Sequence, residues 1–146
     1  MGEIGLVHAT AAALGVPVVM ISGDDVACAE ARAWDPSLST VAVKDARDRF
    51  AGQLRPVTEA REAIEKTARH ALQATGPGTV DRVDGLSVLS VRWQSATVAS
   101  HLCGIPTVTR TDDRTVEVTG EMIDLFRLFR VFTTVASTLT DQIPYC

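Results

Sequence analysis

Apolar and polar positions alternate along the chain with several distinct periods, and each change of period marks a predicted element. Ile4 to Leu14 is rich in Ala and Leu and stops at Gly15, so it reads as a helix closed by a left-handed residue. Val16 to Ile21 has β-branched residues and no polar alternation, the pattern of a strand covered on both faces. Asp24 or Asp25 then caps a helix through about Ala33, ended by the Asp35-Pro36 turn. Thr40 to Val43 is a second short strand, and Lys44 to Leu54 a charged connection with partial helical character. Thr58 to Ala74 gives the clearest helix. Val57, Ala60, Ile64, Ala68 and Ala71 line one face, and Glu62/Lys66 and Glu65/Arg69 stand four apart on the other.

The Gly/Pro stretch Thr75 to Gly78 ends that helix and is the candidate boundary between subdomains. Beyond it Ser87 to Trp93 alternates like a strand, Ser95 to Leu102 is a short helix, and Gly104-Ile105-Pro106 is a stop. Val108 to Arg110 and Thr115 to Val118 flank Asp112-Asp113 as a hairpin-like pair. Thr119 is placed to cap a final helix striped by Met122, Phe126, Phe129 and Phe132. The expected fold class is α/β: a mostly parallel sheet flanked by helices over residues 1–78, then a smaller α+β carboxy-terminal subdomain over 79–136, with 137–146 as a tail. A fully apolar strand at Val16 to Ile21 requires neighbours on both sides, and few strands are available to supply them. Part of the sheet is therefore expected to lie outside this chain, leaving an edge that promotes self-association.

With 146 residues the chain is long enough for one core and short for two. Its formal charge of -4, with acids and bases interspersed, disfavours a nucleic-acid backbone or an anionic membrane as partner. Cys28, Cys103 and Cys146 are odd in number and widely spaced, which fits a reducing, cytoplasmic setting. The early apolar stretch lacks the basic flank of a secretory signal and is broken by Gly15 and Pro17, so neither a leader nor a membrane span is expected.

Chemical candidates are sparse. Asp24 and Asp25 follow a strand, where ligands gather in open α/β sheets, yet acids are also common helix starters, and the architectural role is favoured. His8, His70 and His101 never fall at ligand spacing. Cys28 has no evident base, and no GxSxG or phosphate-binding glycine loop is present. Arg127 and Arg130 are positioned to grip an anion or, more simply, to form a solvated helix edge, with Asp124 in reach of Arg127. Residue pattern alone assigns no reaction.

The string GEIG, followed by GVPVVMISGDDVACAEA and TVAVKDARDRFAGQLRP, resembles the second half of the D-aminopeptidase family of zinc metallopeptidases associated with dipeptide-transport operons. GIPTVTRTDDRTVEVTGEMIDLFRLFR is similar to that family's closing hairpin and helix, and the resemblance runs in order from about Gly2 to Val135. It implies removal of D-amino acids from the amino terminus of short peptides by two carboxylate-bridged zinc ions, in a ring-shaped homo-oligomer. It also implies that Glu3 matches the last metal ligand, the glutamate of a "GE" or "NE" at a helix start. The family's acidic pair, its histidine ligands and its catalytic histidine have no counterpart in these residues, and Val7 or His8 stands where an asparagine is usual. The sequence-based expectation is thus the carboxy-terminal part of such an enzyme, with no catalytic residue of its own and inactive alone. The alternative is a non-catalytic binding or oligomerisation module that kept the fold. A third possibility is a small-molecule-binding domain using Asp24 and Asp25.

Overall fold

The computed structural model describes residues 2–48, 50–74, 80 and 83–140. Helix α1 (Glu3–Ala13) ends where the sequence predicts: Gly15 adopts φ +71°, and its N–H donates to the Ala12 carbonyl at 2.9 Å. The next strand, β1, spans Met20–Asp24, later than the predicted Val16 to Ile21. Two backbone facts move it. The Val16 N–H donates to the Ala11 carbonyl in closing α1, and Pro17 has no N–H, so pairing begins only when the Val19 carbonyl accepts from the Ser39 N–H at 3.3 Å. Nor is this stretch covered on both faces: Val16 is exposed, and Met20 and Ile21 are half-buried.

Asp24 and Asp25 open α2 (Asp25–Trp34). Asp24 is the N-cap, its Oδ1 accepting from the Ala27 N–H at 2.7 Å, and Asp25 sits in the first turn near the positive end of the helix dipole. Cys28 and Ala31 bury the inner face. Asp35 ends the helix, and its Oδ1 accepts from both the N–H and the hydroxyl of Ser37. Strand β2 (Ser39–Ala46) then runs parallel to β1, with a register shift between Gly23 and Asp24.

The segment read as partly helical, Lys44 to Leu54, is instead the end of β2, a turn and the antiparallel strand β3 (Gly52–Leu54). Asp48 causes the difference: its Oδ1 accepts from the N–H groups of Phe50 and Ala51, which holds the backbone in a turn that competes with a helix. The sheet order is β1-β2-β3, with β1 at an edge among the described residues. Helix α3 (Val57–Ala74) packs on β1 and β2 through Ala71 and the half-buried Ile64 and Ala68, while Val57, predicted on that face, is exposed. The Gly/Pro boundary stretch, Thr75 to Gly78, lies outside the described residues.

The chain divides into two compact units, Met1–Arg82 and Val83–Cys146. The second is built from β4 (Leu86–Arg92), α4 (Ala96–Leu102), β5 (Thr109–Arg110), β6 (Thr115–Glu121) and α5 (Met122–Thr140). Its sheet is antiparallel throughout, in the order β4-β6-β5. Ser95 caps α4 through its hydroxyl. Thr119, predicted to cap the last helix, remains in the β4–β6 ladder opposite Val88, and α5 begins after Glu121. Helix α5 buries Met122, Leu125 and Phe132, with Phe126 and Phe129 half-buried, so the phenylalanine stripe is real but Leu125 belongs to it. Phe132 meets Trp93 edge-on, with ring centroids 6.4 Å apart. The helix reaches Thr140, into the stretch read as a tail, and residues 141–146 lie outside the described residues. Among the described residues no helix is long and apolar enough to cross a membrane.

Two expected outcomes follow from these turns and caps. Asp24→Ala should cost about 1 kcal/mol in urea unfolding, the usual value of an N-cap, whereas Asp24→Asn keeps an acceptor and should stay within a few tenths. The ion pair lost in both, Asp24 to Lys44 at 3.8 Å, is exposed enough to contribute little. Asp112 accepts from the Arg114 N–H, the Thr115 hydroxyl and the Thr115 N–H, and with Arg92 nearby its carboxyl is held down to about 2. Because this folded-state value lies below the ordinary 3.8, its contribution is present above that value and is lost as pH falls from 3.8 towards 2. Carboxyl-detected NMR should show Asp112 titrating near 2, and a midpoint near 3.8 would contradict the turn geometry.

Candidate metal-ligating groove

Glu3 owes its position to contacts made by α2. The Gly2 N–H donates to Glu30 Oε1 at 3.1 Å, which fixes the start of α1 against α2. A Cβ at Gly2 would meet that same carboxylate, but this is the flexible end of an exposed side chain that can swing aside, so the contact sets no steric demand for glycine. Further along α1, His8 Nε2 lies 3.4 Å from Asp35 Oδ2 at the end of α2. The Asp35 carboxyl is held below its usual value, chiefly by the Ser37 hydroxyl and also by its N–H and by His8. Glu30 and Asp35 were not legible as supports in the sequence, because the contacts they make with α1 span more than twenty residues.

Between α1 and β1 this arrangement leaves an open groove of about 360 Å³. Glu3, Ile4, Val7 and His8 line it from the helix, and Val18, Met20 and Ile21 from the strand side. The exposed Glu3 carboxylate and the half-buried His8 imidazole are its ionisable groups, set against largely apolar walls. A carboxylate there can accept hydrogen bonds or supply one oxygen donor to a cation. Among the described residues no three His, Cys, Asp or Glu side chains come together in a manner that could hold a metal ion. Zinc in proteins takes at least three side-chain donors, so the residues present do not by themselves fit a zinc centre.

The other sequence candidates are accounted for by architecture. Asp24 caps α2, and Asp25 Oδ1 accepts from the Ala46 N–H at 2.7 Å, which ties α2 to the end of β2 and lowers the Asp25 carboxyl below its usual range. His70 is exposed on α3. His101 Nδ1 lies 2.8 Å from the Thr97 carbonyl within α4. Arg127 pairs with Asp124 at 2.9 Å, Arg130 is exposed, and Cys28 is a buried free thiol. A second depression, of about 260 Å³, lies under the β2–β3 turn, lined in part by Asp24, Lys44 and Asp48. The sequence missed it because Lys44 to Leu54 was read as a charged, partly helical connection.

Comparison with known proteins gives one consistent picture. The D-aminopeptidase family matches residues 1–132. A D-aminopeptidase of Bacillus subtilis (strain 168) is 33% identical over 144 residues, covering 93% of this chain and 50% of its own length. The solved structure of the Zn-dependent D-aminopeptidase DppA from Bacillus subtilis, a self-compartmentalizing protease, superposes with a TM-score of 0.86 at 25% identity, covering 100% of this chain and 53% of that one. The chain therefore spans about half the length of these relatives. A family match over nearly the whole chain, a similar sequence and a shared α/β fold agree, and this chain belongs to the D-aminopeptidase family.

Proposed function

We propose that these 146 residues are the carboxy-terminal part of a zinc-dependent D-aminopeptidase-like metallopeptidase acting on short peptides with amino-terminal D-residues, and that Glu3 is their one metal ligand. The observation that carries this reading is the groove itself. It presents one carboxylate at a helix start, on apolar walls beside a parallel strand that lacks a second neighbour among the described residues. The match of Gly2-Glu3 to the family's ligand motif supports it, as does coverage of only half of each relative. The remaining donors and the catalytic residues would come from polypeptide other than these residues, in a homo-oligomeric, cytoplasmic assembly. What this chain contributes is position: Glu30 accepts from the Gly2 N–H at the helix start, and β1 and α1 form apolar walls that would exclude water from one side.

On this reading the isolated chain does not hydrolyse D-alanyl peptides with or without added zinc, and robust turnover would overturn it. Fused behind the amino-terminal half of the Bacillus subtilis relative, it should give zinc-dependent hydrolysis. Glu3→Gln in that fusion should lower turnover by at least the roughly 10–100-fold that loss of a mere supporting partner costs a metal site. A folded, zinc-loaded fusion whose rate is indifferent to Glu3→Gln would remove Glu3 from the site.

A further inference from the structure

We propose that the depression beneath the β2–β3 turn binds a small zwitterion, an ammonium and a carboxylate on one short skeleton beside an apolar side chain, as in a free amino acid or a dipeptide. Strand pairing builds its floor. Directly opposed residues of paired strands share a face, and Asp24 stands opposite Lys44, Lys44 opposite Leu54, and Ala46 opposite Gly52. Asp48 and Phe50 close one end from the turn, and the space enclosed is about 260 Å³. The place suits a ligand: in open α/β sheets these gather at the carboxyl ends of parallel strands, and the register shift of β1 against β2 falls at this end, between Gly23 and Asp24.

The charged groups here are only half engaged. Asp24 and Asp48 each commit Oδ1 to backbone amides, those of Ala27 and of Phe50 and Ala51 respectively. Asp48 Oδ2 has no partner among the described residues. Lys44 Nζ stands 3.8 Å from Asp24 Oδ2, beyond hydrogen-bond length, so its ammonium makes no hydrogen bond among the described residues. This arrangement selects the ligand by charge. A phosphate-like dianion would meet two carboxylates, and a divalent cation would meet the Lys44 ammonium, with no three-residue donor set among the described residues to hold it. A zwitterion answers both signs: its carboxylate accepts from Lys44 and its ammonium donates to Asp48. Phe50 and Leu54, 91% and 75% exposed, flank these charges and give an apolar side chain something to cover.

This inference goes beyond the peptidase reading, since it uses neither metal nor any residue of the Glu3 groove, and it is tested without zinc or turnover, so its failure leaves that reading standing. Amide-detected NMR of the whole chain follows the Phe50, Ala51 and Gly52 signals. D-leucine or D-leucyl-D-leucine should shift them saturably in the millimolar range, and whichever saturates at the lower concentration identifies the occupant as free amino acid or dipeptide. N-acetyl-D-leucine, which lacks the ammonium, and D-leucinamide, which lacks the carboxylate, should each bind roughly tenfold more weakly than D-leucine, since hydrogen bonds between charged groups are the strong ones. Lys44→Met and Asp48→Asn should weaken D-leucine by a similar factor. Asparagine keeps the oxygen that accepts from the two turn amides, and Lys44→Met does not touch the turn, so neither loss reduces to misfolding. No saturable shift with either zwitterion, blocked compounds that bind as well as D-leucine, or indifference to either variant would each overturn the proposal.

Discussion

The parallel pairing of β1 with β2 is the constraint on which the first unit depends. Parallel neighbours cannot be joined by a tight turn, so the chain must cross over between them, and α2 is that crossover. The acid pair at Asp24-Asp25 makes the crossover short: one carboxylate starts the helix and the next reaches the amide of Ala46 on the neighbouring strand. Once α2 is placed, Glu30 and Asp35 hold α1 against it, through Gly2 and His8 respectively. Glu3 therefore takes its position from a strand pairing that it does not touch. None of these contacts is individually large, since hydrogen bonds and half-exposed ion pairs contribute on the order of 1 kcal/mol each. Their value is in agreeing on one geometry.

A second constraint comes from coordination chemistry. One carboxylate cannot fix a catalytic zinc, which needs three protein donors and an open position for water. The groove beside β1 is apolar, open and bordered by a strand edge, which is the surface left when a sheet is built on one side only. The coverage of about half of each relative and the solitary donor are thus two views of one proposed division, between residues that position a ligand and residues that would complete the centre.

Much of the fold was legible from local rules, and the exceptions have local causes. Gly15, Asp24 and Ser95 mark helix ends because each satisfies a specific backbone need, and the alternation in β4 and β6 follows from one buried face. The start of β1 was misplaced because apolar content identifies a strand without saying which amides are available, and here Val16 and Pro17 have none to give. The β2–β3 turn was hidden by charged residues that suit a helix surface equally well until Asp48 captures two amides. Thr119 has the chemistry of a cap, but its ladder bonds to β4 continue the strand past it. The candidate site was less legible still. Glu3 has no neighbour in sequence to signal chemistry, and it was identified by resemblance to a family motif, while its supports come from residues far along the chain.

The central claim is that these residues supply only Glu3 to the proposed zinc centre. Zinc content of the purified chain after equilibration with the metal and dialysis, measured by atomic emission, tests it most directly. The account predicts that no zinc is retained at stoichiometric level; one or two ions held tightly per chain would contradict it.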